Sequence, residues 1–286
     1  MITDVPGVRV GHHTDETGRT GCTVVLFDRP PVAAGEVRGS APATREFALL
    51  DPSATVERID AVVLSGGSAF GLAAADGVVA WLEEHDRGVP TGWGRVPIVV
   101  GMSLFDLPVG DPRARPSAAD GRAAAEAAAA GPPATGAVGA GTGATVSSWR
   151  GREHRAPGGV VSASVTDGEL VVGVLVAVNA WGDVEGSPSA AAPEPPIADA
   201  TGLGNTTIGV VATNGDLGPT GCLHLARGAH DGLARAVSPP HGTLDGDAFV
   251  AVATGVVPTG VDRARWMAVR ATEAAIRSAG AWDVPR

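Results

Sequence analysis

Hydrophobic and polar positions along the chain follow two rhythms. Short Val-rich runs predict strands: CTVVLF from Cys22, DAVVLSG from Asp60, VPIVVG from Val96 and VVSASV from Val160. Further on come ELVVGVLVAVN from Glu169, TTIGVVATN from Thr206 and DAFVAVATG from Asp247. In the Glu169 run both alternating sets, Leu170/Val172/Val174/Val176 and Val171/Gly173/Leu175/Ala177, are almost wholly apolar. A strand with two apolar faces must be covered on both sides, so the pattern predicts a layered structure and not a half-solvated sheet. Helical spacing lies between these runs. Leu72, Ala75, Val79 and Leu82 recur at helical intervals, and Ala118–Ala130 is Ala-rich. Leu225, Ala229 and Leu233 form a stripe, and Trp266, Val269 and Ile276 share a face of a helix expected over Asp262–Ser278.

The rhythm breaks once. Residues 183–204 read DVEGSPSAAAPEPPIADATGLG, and four prolines among Ala, Ser and Gly cannot continue a strand or a helix. Residues 206–286 then carry two clear strands and two helices, too little to fold alone when both strands look apolar on each face. The expectation is one domain over 1–286 with 183–204 as a flexible surface connector, a place where a chain can be cut without unfolding. Directly after it stands Asn205-Thr206-Thr207. Two hydroxyls at a strand start are ordinary β-formers, or the first is a nucleophile exposed by a cut before Thr206.

Composition removes several function classes. A net charge of −10 argues against nucleic acid, which requires a basic surface. MITDVPGVRV has no basic, apolar leader pattern, and no apolar run approaches the roughly 20 residues that span a bilayer, so a cytoplasmic protein without membrane contact is expected. All 21 basic residues are arginine, which excludes any mechanism needing a lysine from this chain, and tyrosine is absent too. Cys22 and Cys222 make neither a disulfide framework nor a metal site and are expected as buried thiols.

Taken singly, the remaining motifs are weak. GGSAFG (66–71) follows a strand and opens a helix but lacks nucleotide-loop spacing, which leaves a tight turn lining a site. GAVGAGTGATV (136–146) is either a site wall or a loop. Asn179, just past the apolar strand, is either a turn residue or an amide donor for an oxyanion. Asp245-Gly246-Asp247 is either an acidic turn or a pair that orients a nucleophile. His230 and His241 are spaced wrongly for a helical metal pair, and no third ligand is in sight.

Together the motifs are specific. ITDVPGVRVGHHTD, VRGSAPATRE, DAVVLSGGSAFGLAAADGVVAWLEE, VPIVVGMSLFDLPVGD, GAGTGATV, VAVNAWGDV, NTTIGVVATN and AHDGLARAVSPPHGTLDGDAFVAVATG run in this order nearly end to end. The sequence resembles the P1 peptidase family, peptidase S58, which contains L-aminopeptidase/D-esterases, β-aminopeptidases and nylon-oligomer hydrolases. The resemblance implies an α/β fold, a four-layer αββα sandwich like that of N-terminal nucleophile hydrolases but with DOM-type connectivity. It implies self-cleavage between Asn205 and Thr206 into 1–205 and 206–286, and hydrolysis of small amides, esters or short peptides.

In that scheme Thr206 is the nucleophile at the head of a central strand. Its freed α-amine, with an ordinary pKa of about 7.7–8.0, is the base. By the same resemblance Asp245 and Asp247 orient the Thr206 hydroxyl and amine, and Asn179 donates to the oxyanion. Gly66, Gly67 and Ser68 line the cleft, with Ser148 also at the substrate. No cofactor and no metal are implied, and the protein is expected to form a homo-oligomer. The chain departs from the family in two places: Pro157 stands where relatives read lysine, and Asn214 where they often read Asp. Ser148, Arg150 or a backbone group is left to fill the lysine's role. The alternatives are a Thr-nucleophile acyltransferase of the ornithine acetyltransferase type, or an inactive small-molecule-binding homologue.

Overall fold

The computed structural model describes residues 1–187, 190 and 204–279. The amino-terminal half contributes β1 (Val8–Asp15), β2 (Thr20–Phe27), β3 (Val32–Val37), β4 (Ala43–Arg45) and β5 (Ala61–Ser65). Next come α1 (Ala74–Glu84), β6 (Val99–Ser103), α2 (Ala118–Glu126), β7 (Gly159–Asp167) and β8 (Leu170–Val178). Beyond the connector lie β9 (Ile208–Asp216), α3 (Pro219–Ala236), β10 (Ala248–Pro258) and α4 (Val261–Ala279). Two five-stranded sheets result, ordered β1-β2-β5-β6-β4 and β7-β8-β9-β10-β3.

Side-chain alternation stacks these sheets. On β2, Val24 and Leu26 join a cluster with Val78 and Leu82 of α1 and Ala124 of α2. Val25 and Phe27 turn the other way, into a core with Leu175, Ile208, Val210 and Val250 of the second sheet. On β8, Val172, Val174, Val176 and Val178 pack with Leu225, Ala229 and Leu233 of α3 and Ile276 of α4. The order is therefore helices, sheet, sheet, helices: the layering expected from the doubly apolar Glu169 run, in the αββα form that the resemblance implies. Both thiols are buried and unpaired, and burial pushes each up to about 12. No helix among the described residues is long and apolar enough to cross a membrane.

Two expectations need correction. Thr206 does not begin the strand: β9 starts at Ile208. Asn205 and Thr206 have φ of 100° and 115°, and the Thr207 N–H bonds the Asp247 side chain and not a neighbouring strand. Trp266 does not share the buried face of α4. It is 50% exposed, whereas Val269 and Ile276 are buried, because it lies about 60–80° around the helix from them. Instead, Arg235 and Arg270 lie over its ring at 5.1 and 6.0 Å.

Strands β1, β3 and β4 escaped the sequence pattern because Gly, Ala and polar residues interrupt their apolar positions. Of the connector expected over 183–204, Asp183–Val184 pairs with Val237–Ser238. Residues 188–189 and 191–203, where most of it falls, lie outside the described residues.

Candidate active site

Parallel pairing brings the site together. β9 and β10 run side by side in register Ile208↔Ala248, so the residues just before each strand, Thr206-Thr207 and Asp245-Gly246-Asp247, meet at one end of the sheet. In the other sheet β5 and β6 are also parallel, Ser65↔Ser103, which sets Gly66–Ser68 beside Leu104–Asp106. β8 ends nearby at Val178, which delivers Asn179.

The Asp245–Asp247 turn is fixed from outside. Beyond β3, Arg38 N–H and Gly39 N–H donate to the Asp247 carbonyl at 2.9 and 3.3 Å, and Ala41 N–H donates to the Asp245 carbonyl at 2.8 Å. The VRGSAPATRE block thus cradles the acids. Gly246 must be glycine. A Cβ there would stand 2.6 Å from the Ala41 carbonyl oxygen and 2.9 Å from the Thr206 hydroxyl. Its N–H donates to Thr206 Oγ1 at 2.9 Å. The Thr207 N–H donates to Asp247 Oδ1 at 2.7 Å, and the Gly242 N–H to Asp245 Oδ2 at 3.3 Å.

Asp245 is an unusual acid. Burial pushes its carboxyl up to about 8, and the charge of Asp247 adds to this, while the N–H groups of Gly242 and Thr206 act the other way. The backbone N–H of Thr206 therefore faces Asp245.

The residue before Thr206 is clamped as well. The Phe105 N–H donates to the Asn205 carbonyl oxygen at 3.2 Å. Ser148 Oγ donates to Asn205 Oδ1 at 2.5 Å, and Asn205 Nδ2 donates to the Ala180 carbonyl at 3.1 Å. Asn179 is buried one peptide away. Its Oδ1 accepts from Thr145 N–H at 2.8 Å, and its Nδ2 donates to the Phe105 carbonyl at 3.1 Å. It thereby holds the carbonyl of Phe105, the residue whose own N–H reaches Asn205.

A cleft of about 160 Å³ opens onto Thr206, with Ala43, Ser68, Ala69, Phe105 and Leu244 among its walls. Gly66 and Gly67 are not on those walls. They sit against Asp106, which accepts from Gly67 N–H at 2.7 Å and Thr20 Oγ1 at 2.7 Å. Burial raises that acid too. Of the two side chains left to replace the family's lysine, Ser148 reaches Asn205. Arg150 is instead in a buried ion pair with Asp183 at 2.7 Å.

Three partners were missed from sequence: Phe105 and Gly246, which act through backbone N–H groups that leave no side-chain signature, and His241. His241 was weighed only as a metal ligand, yet its Nδ1 lies 2.9 Å from Asp247 Oδ2. Among the described residues no group of His, Cys, Asp and Glu could hold a metal ion.

The sequence matches the model of Peptidase family S58 over residues 1–280. The chain belongs to that family. This makes it a hydrolase of amide bonds. An uncharacterized aminopeptidase of Mycobacterium tuberculosis (strain ATCC 25618 / H37Rv) is 44% identical over 289 residues, which cover 90% of this chain and 82% of the relative. A 6-aminohexanoate-oligomer endohydrolase of Kocuria sp. (strain KY2) is 31% identical, with 98% and 83% covered. Among solved structures, a Burkholderia sp. β-aminopeptidase superposes with a TM-score of 0.75 at 27% identity, covering 97% of this chain and 84% of its own. The L-aminopeptidase D-Ala-esterase/amidase of Ochrobactrum anthropi, described as a variant of the Ntn hydrolase fold, gives 0.75 at 23% identity, covering 97% and 85%, and bears on the fold alone.

Proposed function

We propose that the chain cuts itself between Asn205 and Thr206 and then acts as an N-terminal threonine hydrolase on small amides, esters or short peptides. The observation that carries this reading is the setting of Thr206: its hydroxyl accepts the Gly246 N–H, its own N–H faces Asp245, and the preceding carbonyl is already held by Phe105. In the cut, Thr206 Oγ adds to the Asn205 carbonyl carbon and the Phe105 N–H supports the oxyanion. Collapse breaks the Asn205–Thr206 C–N bond as the proton given up by the Thr206 hydroxyl passes to the departing nitrogen, and water then hydrolyses the ester, releasing the Asn205 carboxylate and the Thr206 hydroxyl. Losing one oxyanion donor of this kind raises a barrier by about 2.7–4 kcal/mol.

Before the cut the nitrogen of Thr206 is an amide and cannot act as a base. Afterwards it is an amine able to take the hydroxyl proton. The same hydroxyl is then acylated by substrate, and Asn179 supplies the second N–H of its amide to the tetrahedral oxyanion, the first being held by the Phe105 carbonyl. Ser148 and Ser68 contact the substrate.

At about 160 Å³ the cleft favours short acyl groups. The 6-aminohexanoate oligomers named in one relative's description are amides, and a β-aminopeptidase is among the similar structures. The family resemblance adds a homo-oligomer, which light scattering after size exclusion would measure. The chemistry itself needs no metal, so chelators should leave turnover unchanged.

Intact mass of protein made without proteases should give 1–205 and 206–286, and Thr206→Ala should remain one chain. Processed protein should hydrolyse a member of a panel of L-, D- and β-aminoacyl p-nitroanilides and aminoacyl esters. A wild-type chain that stays whole on prolonged incubation would refute the proposal.

A further inference from the structure

Asp247 meets the Thr207 N–H with one carboxylate oxygen and His241 Nδ1 with the other, at 2.7 and 2.9 Å. A carboxylate oxygen as partner means that Nδ1 carries the hydrogen. His241 Nε2 is buried and makes no hydrogen bond. The His241 ring rests edge-on against His230 at 5.1 Å. His230 Nε2 in turn donates to the Glu36 carbonyl at 2.9 Å, and burial pushes His230 down to about 4. Asp245 is served differently. It has the Gly242 N–H at 3.3 Å and the facing Thr206 amide, while its Oδ1 lacks a hydrogen bond.

We propose that His241 is a positioning residue that keeps the negative charge of the acid pair on Asp247, leaving Asp245 as the neutral carboxyl that faces the Thr206 nitrogen. The role rests on the Thr206 hydrolase reading. Two short N–H donors favour the charge on Asp247, and like charges packed together resist a second ionisation. The upward shift of Asp245 agrees in direction.

The consequence concerns the base. A carboxylate facing the freed amine would hold it as ammonium, which cannot accept a proton, whereas a neutral carboxyl leaves it free to do so. The other charged groups around the histidines are committed elsewhere. Arg38 pairs with Glu36 and Asp231 at 3.0 Å each, and Arg227 pairs with Glu36.

Carboxyl 13C and imidazole 15N spectra read the charge directly. At neutral pH wild-type protein should show Asp247 ionised, Asp245 protonated, and the His241 hydrogen on Nδ1. His241→Phe keeps a ring but removes the donor. It should lower kcat at neutral pH by about tenfold or more with little change in KM, and move the acid limb of the pH profile upward. His241→Asn presents an N–H near the old Nδ1 position and tolerates the left-handed backbone of residue 241, φ 54°, so it should recover most of the loss.

Asp245 ionised with Asp247 protonated, a hydrogen on Nε2 with Nδ1 bare, or a folded His241→Phe with wild-type kcat and pH profile would each overturn the proposal. If His241→Phe fails to fold, the wild-type spectra still decide. If wild-type protein neither cuts itself nor turns over any amide, the hydrolase reading has failed, and the spectra report separately on where the charge lies.

Discussion

At Thr206 the backbone takes a φ that a β-branched residue adopts only when its surroundings enforce it. Here they do, through Phe105 on the Asn205 carbonyl, Ser148 and Ala180 on its side chain, and Asp247 on the next N–H. Strain of this type is worth about 1–3 kcal/mol per residue and is released if the peptide is cut. Gly246→Ala should therefore slow self-cleavage by more than about tenfold while far-UV circular dichroism stays unchanged, since its Cβ would crowd the Thr206 hydroxyl. Asp245 makes a second prediction, best read in the uncut Thr206→Ala chain. Its folded pKa of about 8 lies above the unfolded value of about 3.9, so the folded state binds more protons between these limits. Stability from this group is complete below about pH 4 and is lost as pH rises through about 8. Urea unfolding from pH 5 to 9 should show that decline, and Asp245→Asn should flatten it. An unchanged slope in the variant would mean that the acid is not buried as described.

At the scale of elements, periodicity located what burial drives. The α3 stripe of Leu225, Ala229 and Leu233 is wholly buried against the sheet, whereas Trp266 on α4 is not. Leu233→Ala should thus cost about 2–5 kcal/mol in chemical denaturation, and Trp266→Ala no more than about 1 kcal/mol. Equal losses would restore Trp266 to the core. Strands with dense apolar runs were legible, while β1, β3 and β4 were not, since their partners and not their own residues make them strands. Asn214 serves such a partnership: it accepts from Val171 N–H and donates to the Glu169 carbonyl, both at 2.8 Å. A carboxylate could do only the first.

For the whole molecule, the topology decides what a cut before Thr206 does. β9 pairs with β8 and β10 with β3, so both strands beyond the cut are hydrogen-bonded into strands before it, and α3 and α4 cover the same sheet. The two fragments should remain associated in native mass spectrometry and separate only in denaturant. Free 206–286 under native conditions would show that the shared sheet does not hold them.

The sequence by itself determined the layering, because a strand apolar on both faces has no other stable home, and its ordered motifs singled out Thr206 and Asp245–Asp247 as candidates. Only the tertiary structure decided how these meet. Parallel register is a property of two strands and is written in neither alone. It is what brings the residues before β9 and β10 together, with the backbone N–H groups of Phe105 and Gly246 and the imidazole of His241 around them. Backbone donors carry no residue code, and a histidine's partner depends on the fold around it, so that part of the site became visible only in three dimensions.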